Sequence, residues 1–169
     1  MKERKILMQQ KIKRNKQKNQ RYDLINRLPI VYQGEMEECE LIFSPEVDAI
    51  LDKIHKLWNY ELHKRDFVTK YHNFRKEFSW EDEVIQYVQQ IKIEEKQAYL
   101  FLGINDSPIF LVNGKWVIEN FCDIWEAISF TDLWLFDKEL NYGVLVSRYG
   151  GYLEHDPNPK EILYAITKW

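Results

Sequence analysis

The apolar residues in the first half of the chain recur with the period of an α-helix. Ser44-Pro45-Glu46 is a favourable helix start, because serine suits the N-cap, proline the first helical position and an acid the first turn. After a connector over 28–40 and a segment at 41–43 that is either a short strand or a hydrophobic staple, three amphipathic helices are predicted. The apolar stripe of the first helix is Val47, Ile50, Leu51, Ile54, Leu57 and Trp58. The stripe of the second is Phe67, Tyr71, Phe74 and Phe78. The third follows a predicted N-cap at Ser79 and has the stripe Val84, Ile85, Val88 and Ile91.

The second half of the chain has a different pattern. Continuous apolar runs bounded by turn residues predict buried strands at 98–102, 109–112, 116–118, 133–136 and 144–146. Asn113-Gly114 separates two of these runs and predicts a tight hairpin. A short helix is predicted at 121–130 and a terminal helix at 161–168. The predicted fold class is therefore α+β, with N-terminal helices followed by a mainly antiparallel sheet, a short inserted helix and a C-terminal helix.

Composition narrows the class of protein. The chain has 169 residues, with 25 aromatic residues and only 11 Gly and Pro together, which excludes collagen-like, low-complexity and disordered chains. No apolar run approaches the roughly 18 residues of a membrane span. The N-terminus lacks the apolar region of a secretory signal, and Cys39 and Cys122 form no disulfide framework. We therefore expect a cytoplasmic protein without a membrane role.

Charge is divided between two segments of the chain. The net charge of −3 combines residues 1–27, which carry ten basic and two acidic residues, with residues 28–169, which carry 14 basic and 25 acidic ones. The first segment is therefore +8 and the second −11. We expect a basic helical arm over 1–27 and a single acidic α+β domain over 28–169. This asymmetry of charge bears on the kind of partner that each segment would attract.

The basic arm has more than one interpretation. Its apolar positions stop at Ile12 and resume at Leu24, so its middle is predicted to be polar all round and solvent-exposed or partly frayed. We favour a solvated helix that neutralises the acidic body. The alternative is nucleic-acid binding through phosphates, whereas a membrane-surface helix would need an apolar face that is missing. The candidate phosphate contacts are Lys11, Lys13, Arg14, Lys16 and Lys18.

Catalytic motifs are absent from the sequence. There is no HExxH, no GxGxxG, no GxxxxGK[ST] and no GxSxG. Glu94-Glu95-Lys96 resembles the ExK element of metal-dependent nucleases, but the further acid that such a site needs is missing from a neighbouring strand. His155-Asp156 is a dipeptide in a Pro-bounded loop and carries little information alone. We predict no catalytic residue, no metal site and no cofactor.

Acidic and aromatic residues alternate in the last third of the chain. Three interpretations stay open: core aromatics with acids on the opposite strand faces, a protein-binding surface anchored by Tyr and Trp, or carboxylates for acid–base chemistry. Of these, catalysis is the one we favour least. The candidate partner-binding residues are Glu119, Asp123, Glu126, Asp132, Trp134, Asp137, Glu139 and Tyr142.

Part of this region resembles a known class of protein. Residues 125–137 (WEAISFTDLWLFD) and 142–150 (YGVLVSRYG) are similar to segments of small α+β immunity proteins from bacterial polymorphic or contact-dependent toxin systems, over roughly residues 121–151. The resemblance implies a cytoplasmic binding protein that neutralises one cognate protein toxin and needs no cofactor. An acidic body would complement a basic toxin surface, such as the substrate groove of a nuclease. An accessory role with nucleic acid and an unrecognised small enzyme are the alternatives.

Overall fold

A computed structural model describes residues 2–59, 66–67, 74–93, 96–104, 106–151 and 160–169. Six helices lie in these ranges: α1 Lys2–Arg27, α2 Ile30–Glu38, α3 Glu46–Leu57, α4 Glu81–Gln89, α5 Gly114–Glu119 and α6 Phe121–Ala127. The strands of the same ranges are β1 Glu40–Ile42, β2 Trp58–Asn59, β3 Asp66–Phe67, β4 Phe74–Phe78, β5 Gln97–Leu102, β6 Ile109–Asn113, β7 Leu133–Phe136, β8 Gly143–Gly151 and β9 Lys160–Lys168.

Seven of the strands form one antiparallel sheet. Its order is β1-β6-β5-β7-β8-β9-β4, while β2 and β3 pair separately. At the centre of the sheet, β5 lies between β6 and β7, with Leu100 paired to Phe110 on one side and to Leu135 on the other. At the far edge, β4 joins through β9 rather than through its neighbours in sequence. The predicted α+β class is confirmed.

Helices cover both faces of this sheet. On one face, β5, β7 and β8 contribute Leu100, Leu135 and Val146 to a core that includes residues of α2, α4, α5, α6 and the end of α1. On the other face, Tyr99, Trp134 and other strand residues pack with Val47 and further residues of α3. Strands buried on both faces are apolar at successive positions, which explains the continuous runs in the sequence.

The end of α1 belongs to the main core. Leu24 and Ile25 are both 2% exposed and pack in the same cluster as Met36 of α2. Seven residues before Leu24, Gln17 is also buried, at 1% exposure. Residues seven apart lie on the same helix face. The polar side chain of Gln17 therefore extends the buried face of α1 from Leu24 toward the N-terminus.

Several predicted elements are confirmed. The strand at 41–43 corresponds to β1, the helix after Pro45 to α3, and the third amphipathic helix to α4. The runs at 98–102, 109–112, 133–136 and 144–146 are β5, β6, β7 and β8, and the inserted helix at 121–130 is α6. At α4, however, the N-cap is Trp80 rather than the predicted Ser79, whose N–H donates to Glu83 Oε2 at 3.3 Å.

Four predicted elements are wrong. The connector over 28–40 contains helix α2, and the stripe ending at Phe78 finishes in strand β4. The run at 116–118 lies in helix α5, so the predicted hairpin at Asn113-Gly114 is wrong as well. The Asn113 side chain accepts hydrogen bonds from the N–H groups of Lys115 and Trp116 and acts as an N-cap instead of a hairpin turn. The C-terminal segment is strand β9, held between β8 and β4.

Some sequence interpretations fall outside the residues that the structure describes. These are the middle of the second predicted helix, the pair Glu94-Glu95 and the dipeptide His155-Asp156. They stay predictions.

Candidate interaction surface

Carboxylates from α4 and α6 converge on the outer side of the helical layer. Burial raises the pKa of the Cys122 thiol, and the charges of Asp123, Glu126 and Asp82 raise it further. Asp82 and Glu126 are exposed and Asp123 is half-buried. Glu119 of α5 is exposed too, with its Oε1 3.9 Å from Lys115 Nζ. We call Asp82, Glu119, Asp123 and Glu126 the acidic patch.

An aromatic pair borders the acidic patch. The ring of Tyr32 in α2 meets Trp116 of α5 edge to face, with ring centroids 5.9 Å apart and planes at 83°. A hydrogen bond to the Asp123 carboxylate is the main cause that raises the pKa of Tyr32. The phenol therefore stays a neutral donor to this carboxylate. Both rings are half-buried, so each keeps part of its surface open to solvent.

Two aliphatic residues at the start of α2 are exposed to solvent. Ile30 is 85% exposed and Val31 is 79% exposed, among the highest values for large apolar side chains in the described residues. They directly precede Tyr32 in the helix. Residues one and two positions apart on a helix do not face each other, so these two side chains add exposed apolar area to α2 in directions other than that of Tyr32.

The predicted partner-binding residues do not form one surface. Glu119, Asp123 and Glu126 lie in the acidic patch, but Trp134 is only 9% exposed and packs in the core on the α3 face. Trp134 alternates with Leu133 and Leu135, which face the other core, so its direction follows from the strand period. The assignment of Trp134 as an exposed anchor is therefore wrong.

The remaining predicted acids serve loops at the two ends of β7. Before the strand, Asp132 Oδ1 accepts the N–H of Arg148 at 3.1 Å. After it, Asp137 Oδ1 accepts the N–H of Tyr142 at 3.0 Å and closes the turn into β8. Glu139 is exposed in this turn, and Tyr142 is half-buried. The two loops lie at opposite ends of β7, so Asp132 is separated from Asp137, Glu139 and Tyr142.

The basic residues of α1 are partly engaged with the body. Lys13 Nζ lies 2.5 Å from Asp48 Oδ1, and Lys16 Nζ lies 3.7 Å from Asp106 Oδ2. The Arg14 guanidinium lies 5.3 Å from the ring centroid of Phe43. Lys11 and Lys18 are exposed. Three of the five candidate phosphate contacts thus face groups of the protein itself, as expected for a helix that neutralises an acidic body.

The two cysteines lack the lowered pKa of a reactive thiol. Burial and the charges of Glu35 and Glu38 raise the pKa of Cys39 to about 11, so both thiols are protonated at neutral pH. No group of three His, Cys, Asp or Glu side chains suited to a metal ion occurs within the described ranges. In the same part of the chain, no helix is long and apolar enough to cross a membrane.

Sequence reasoning missed two parts of this surface. Asp82 is not among the predicted partner-binding residues, and Tyr32 lies in the predicted connector over 28–40. A signal existed for the second: Tyr32 and Met36 lie four residues apart, the spacing of one helix face. The proximity of Asp82 to α6 depends on the packing of α4 against α6, which has no local sequence signal.

The fold and this surface define an α+β protein with a helical layer that carries an acidic, aromatic patch. The chain belongs to the family described as "YokC prophage protein", whose model matches residues 1–168. It is 59% identical to the "SPbeta prophage-derived uncharacterized protein YokC" of Bacillus subtilis (strain 168), over all 169 residues and 99% of that relative. No solved structure matches the chain. The family description names no enzymatic activity.

Proposed function

We propose that this protein binds and neutralises a cognate protein toxin through the acidic patch. The observation that carries the proposal is the convergence of Asp82, Asp123 and Glu126 around Cys122, next to the Tyr32–Trp116 pair. Like charges held close together raise each other's energy, and a basic partner relieves that repulsion. The resemblance of residues 121–151 to immunity proteins supports the same function.

The surface fits a protein partner better than a small molecule. Tyr32 and Trp116 supply rigid aromatic contacts, and the carboxylates supply charge complementarity. The preferred partner is a toxin whose active groove is basic, such as a nuclease. Occupying that groove would block its substrate without any chemistry by this protein.

The test is protection in cells. The gene is co-expressed with the toxin encoded beside it, and the two proteins are then co-purified. We expect the unmodified protein to rescue growth and to form a complex. The triple variant Asp82→Asn/Asp123→Asn/Glu126→Gln removes three charges from the patch. Because the new amide at position 123 keeps an acceptor for Tyr32, this variant should fold but lose protection.

A matched variant separates the patch from net charge. Glu40→Gln/Glu46→Gln/Asp52→Asn removes the same three charges from exposed positions at β1 and α3. We expect this variant to protect as well as the unmodified protein. Continued killing by the toxin with no complex would refute the proposed function, and equal loss in both triple variants would refute the role of the patch.

A further inference from the structure

Helix α1 has one face toward the body and an opposite face toward solvent. The first face carries Lys13, which pairs with Asp48 of α3, and then Gln17 and Leu24, which are buried. Positions three, four or seven residues apart share a helix face. The opposite side of α1 carries a row of exposed side chains, which are Met8, Ile12, Asn15 and Asn19. We call this row and the cations beside it the outward face of α1.

Cations flank the row on both sides. On one flank, Arg4, Lys11 and Lys18 recur every seven residues, about 10.5 Å apart along the helix axis, and all three are exposed. On the other flank lie Lys5, which is exposed, and Lys16, whose side chain is 62% exposed beside its ion pair. Among the described residues, no carboxylate pairs with the other four cations. These four charges are therefore available to a partner.

The charge of the outward face opposes the charge of the body. Residues 4–22 contain eight basic residues and no acidic one, whereas residues 28–169 carry 25 acidic residues. A stripe of cations along one helix is the electrostatic signature of a polyanion-binding surface. The body lies behind the opposite face of α1, so an anionic partner can approach the cations from the solvent side.

We propose that the outward face of α1 binds the major groove of duplex DNA. This groove is about 12 Å wide and admits an α-helix. Long cationic side chains on both flanks then reach the phosphates that border the groove. Between the flanks, the amides of Asn15 and Asn19 face the base edges, and the apolar side chains of Met8 and Ile12 suit thymine methyl groups.

The same features favour duplex DNA over other nucleic acids. Binding of a single strand relies on aromatic side chains that stack with bases, and the central row has none. The major groove of duplex RNA is deep and too narrow for side chains to read. No residue of the outward face belongs to the acidic patch, so DNA binding does not depend on toxin neutralisation and is tested separately.

Fluorescence anisotropy of a labelled DNA duplex about two helical turns long tests the proposal. The full-length protein should bind in about 50 mM salt and lose affinity as salt rises, because each neutralised phosphate releases counterions. The triple variant Arg4→Gln/Lys11→Gln/Lys18→Gln should weaken binding at least about tenfold and reduce the slope of log affinity against log salt by about 3. All three positions are exposed, so this variant should unfold like the unmodified protein.

A matched variant separates the outward face from net charge. Lys53→Gln/Lys92→Gln/Lys138→Gln removes the same three charges from exposed positions of the body. Its affinity and its salt slope should equal those of the unmodified protein. Single-stranded DNA and duplex RNA of the same sequence form two further arms, and each should bind at least about tenfold more weakly than duplex DNA.

Four results would overturn the DNA site. The first is absence of binding in about 50 mM salt, and the second is an equal loss of affinity in the two triple variants. The third is binding of single-stranded DNA or duplex RNA as tight as that of duplex DNA. The fourth comes from sedimentation of the protein alone: a dimer that dissociates in the α1 variant but not in the control would assign the outward face to the acidic surface of a second copy.

Discussion

The two halves of α1 have similar compositions and different environments. Near its N-terminal end, Ile6, Leu7, Met8 and Ile12 are between 48% and 65% exposed. Near its C-terminal end, Leu24 and Ile25 are almost completely buried, and between the ends Gln17 is buried as well. The helix is continuous across this change. Apolar residues therefore project into solvent while a polar amide is enclosed.

The difference shows that neighbours, rather than residue type, decide burial along this helix. Gln17 Nε2 donates to Ser44 Oγ at 3.1 Å, and Gln17 Oε1 accepts the Ser44 N–H at 2.9 Å. A buried amide is tolerated when its donors and acceptors are satisfied. The amide thereby joins α1 to the segment between β1 and α3. The basic arm is part of the folded unit from Lys13 onwards.

The largest difference between the two halves of α1 should appear in the free energy of unfolding when leucine is replaced by alanine once in each half. Leu24→Ala removes a side chain that is 2% exposed and leaves a cavity, so we expect about 2–5 kcal/mol of destabilisation. Leu7→Ala makes the same chemical change at 65% exposure and should alter stability by less than about 0.5 kcal/mol. Urea unfolding followed by circular dichroism measures both. Equal effects would contradict the division of α1 described above.

An intermediate effect is expected at Gln17. Gln17→Ala leaves the buried Ser44 N–H without its acceptor, which costs about 1–3 kcal/mol. Gln9→Ala, at an exposed position of the same helix, is the control and should change the free energy of unfolding by less than about 0.5 kcal/mol. Hydrogen exchange of the Ser44 amide gives a second measure and should accelerate only in the first variant. An unchanged exchange rate would contradict the pairing.

Local sequence patterns predicted elements that depend on local chemistry. The period of Val47, Ile50 and Ile54 identified α3, and the apolar run at 98–102 identified β5. For β9, the local pattern fails because long-range pairing decides the structure. Tyr164 and Ile166 face one side of the sheet and Ala165 and Thr167 face the other, as in a strand that pairs with β8 and β4. The pairing of β9 with β4 joins segments far apart along the chain, which a local pattern cannot show.

The candidate site was predictable only in part for a related reason. Charge alone identified Glu119, Asp123 and Glu126, since exposed acids in a helical pattern stay on the surface. Trp134 was assigned to the same surface because acids flank it in sequence, yet the strand directs it into the core on the α3 face. Asp82 joins the patch through the packing of α4 against α6, which are far apart in sequence.

The smallest effect concerns the charge contacts at the boundary between the two halves of α1. Lys13 and Asp48 form a close pair, but each side chain is 42% exposed, so solvent screens the attraction. We expect Lys13→Gln to lower the free energy of unfolding by about 0.2–1 kcal/mol in low salt, and by less at about 1 M sodium chloride. Lys5→Gln, at an exposed position about two turns earlier, is the matched control. If both variants show the same loss and the same salt dependence, net charge rather than the Lys13–Asp48 contact stabilises this end of the helix.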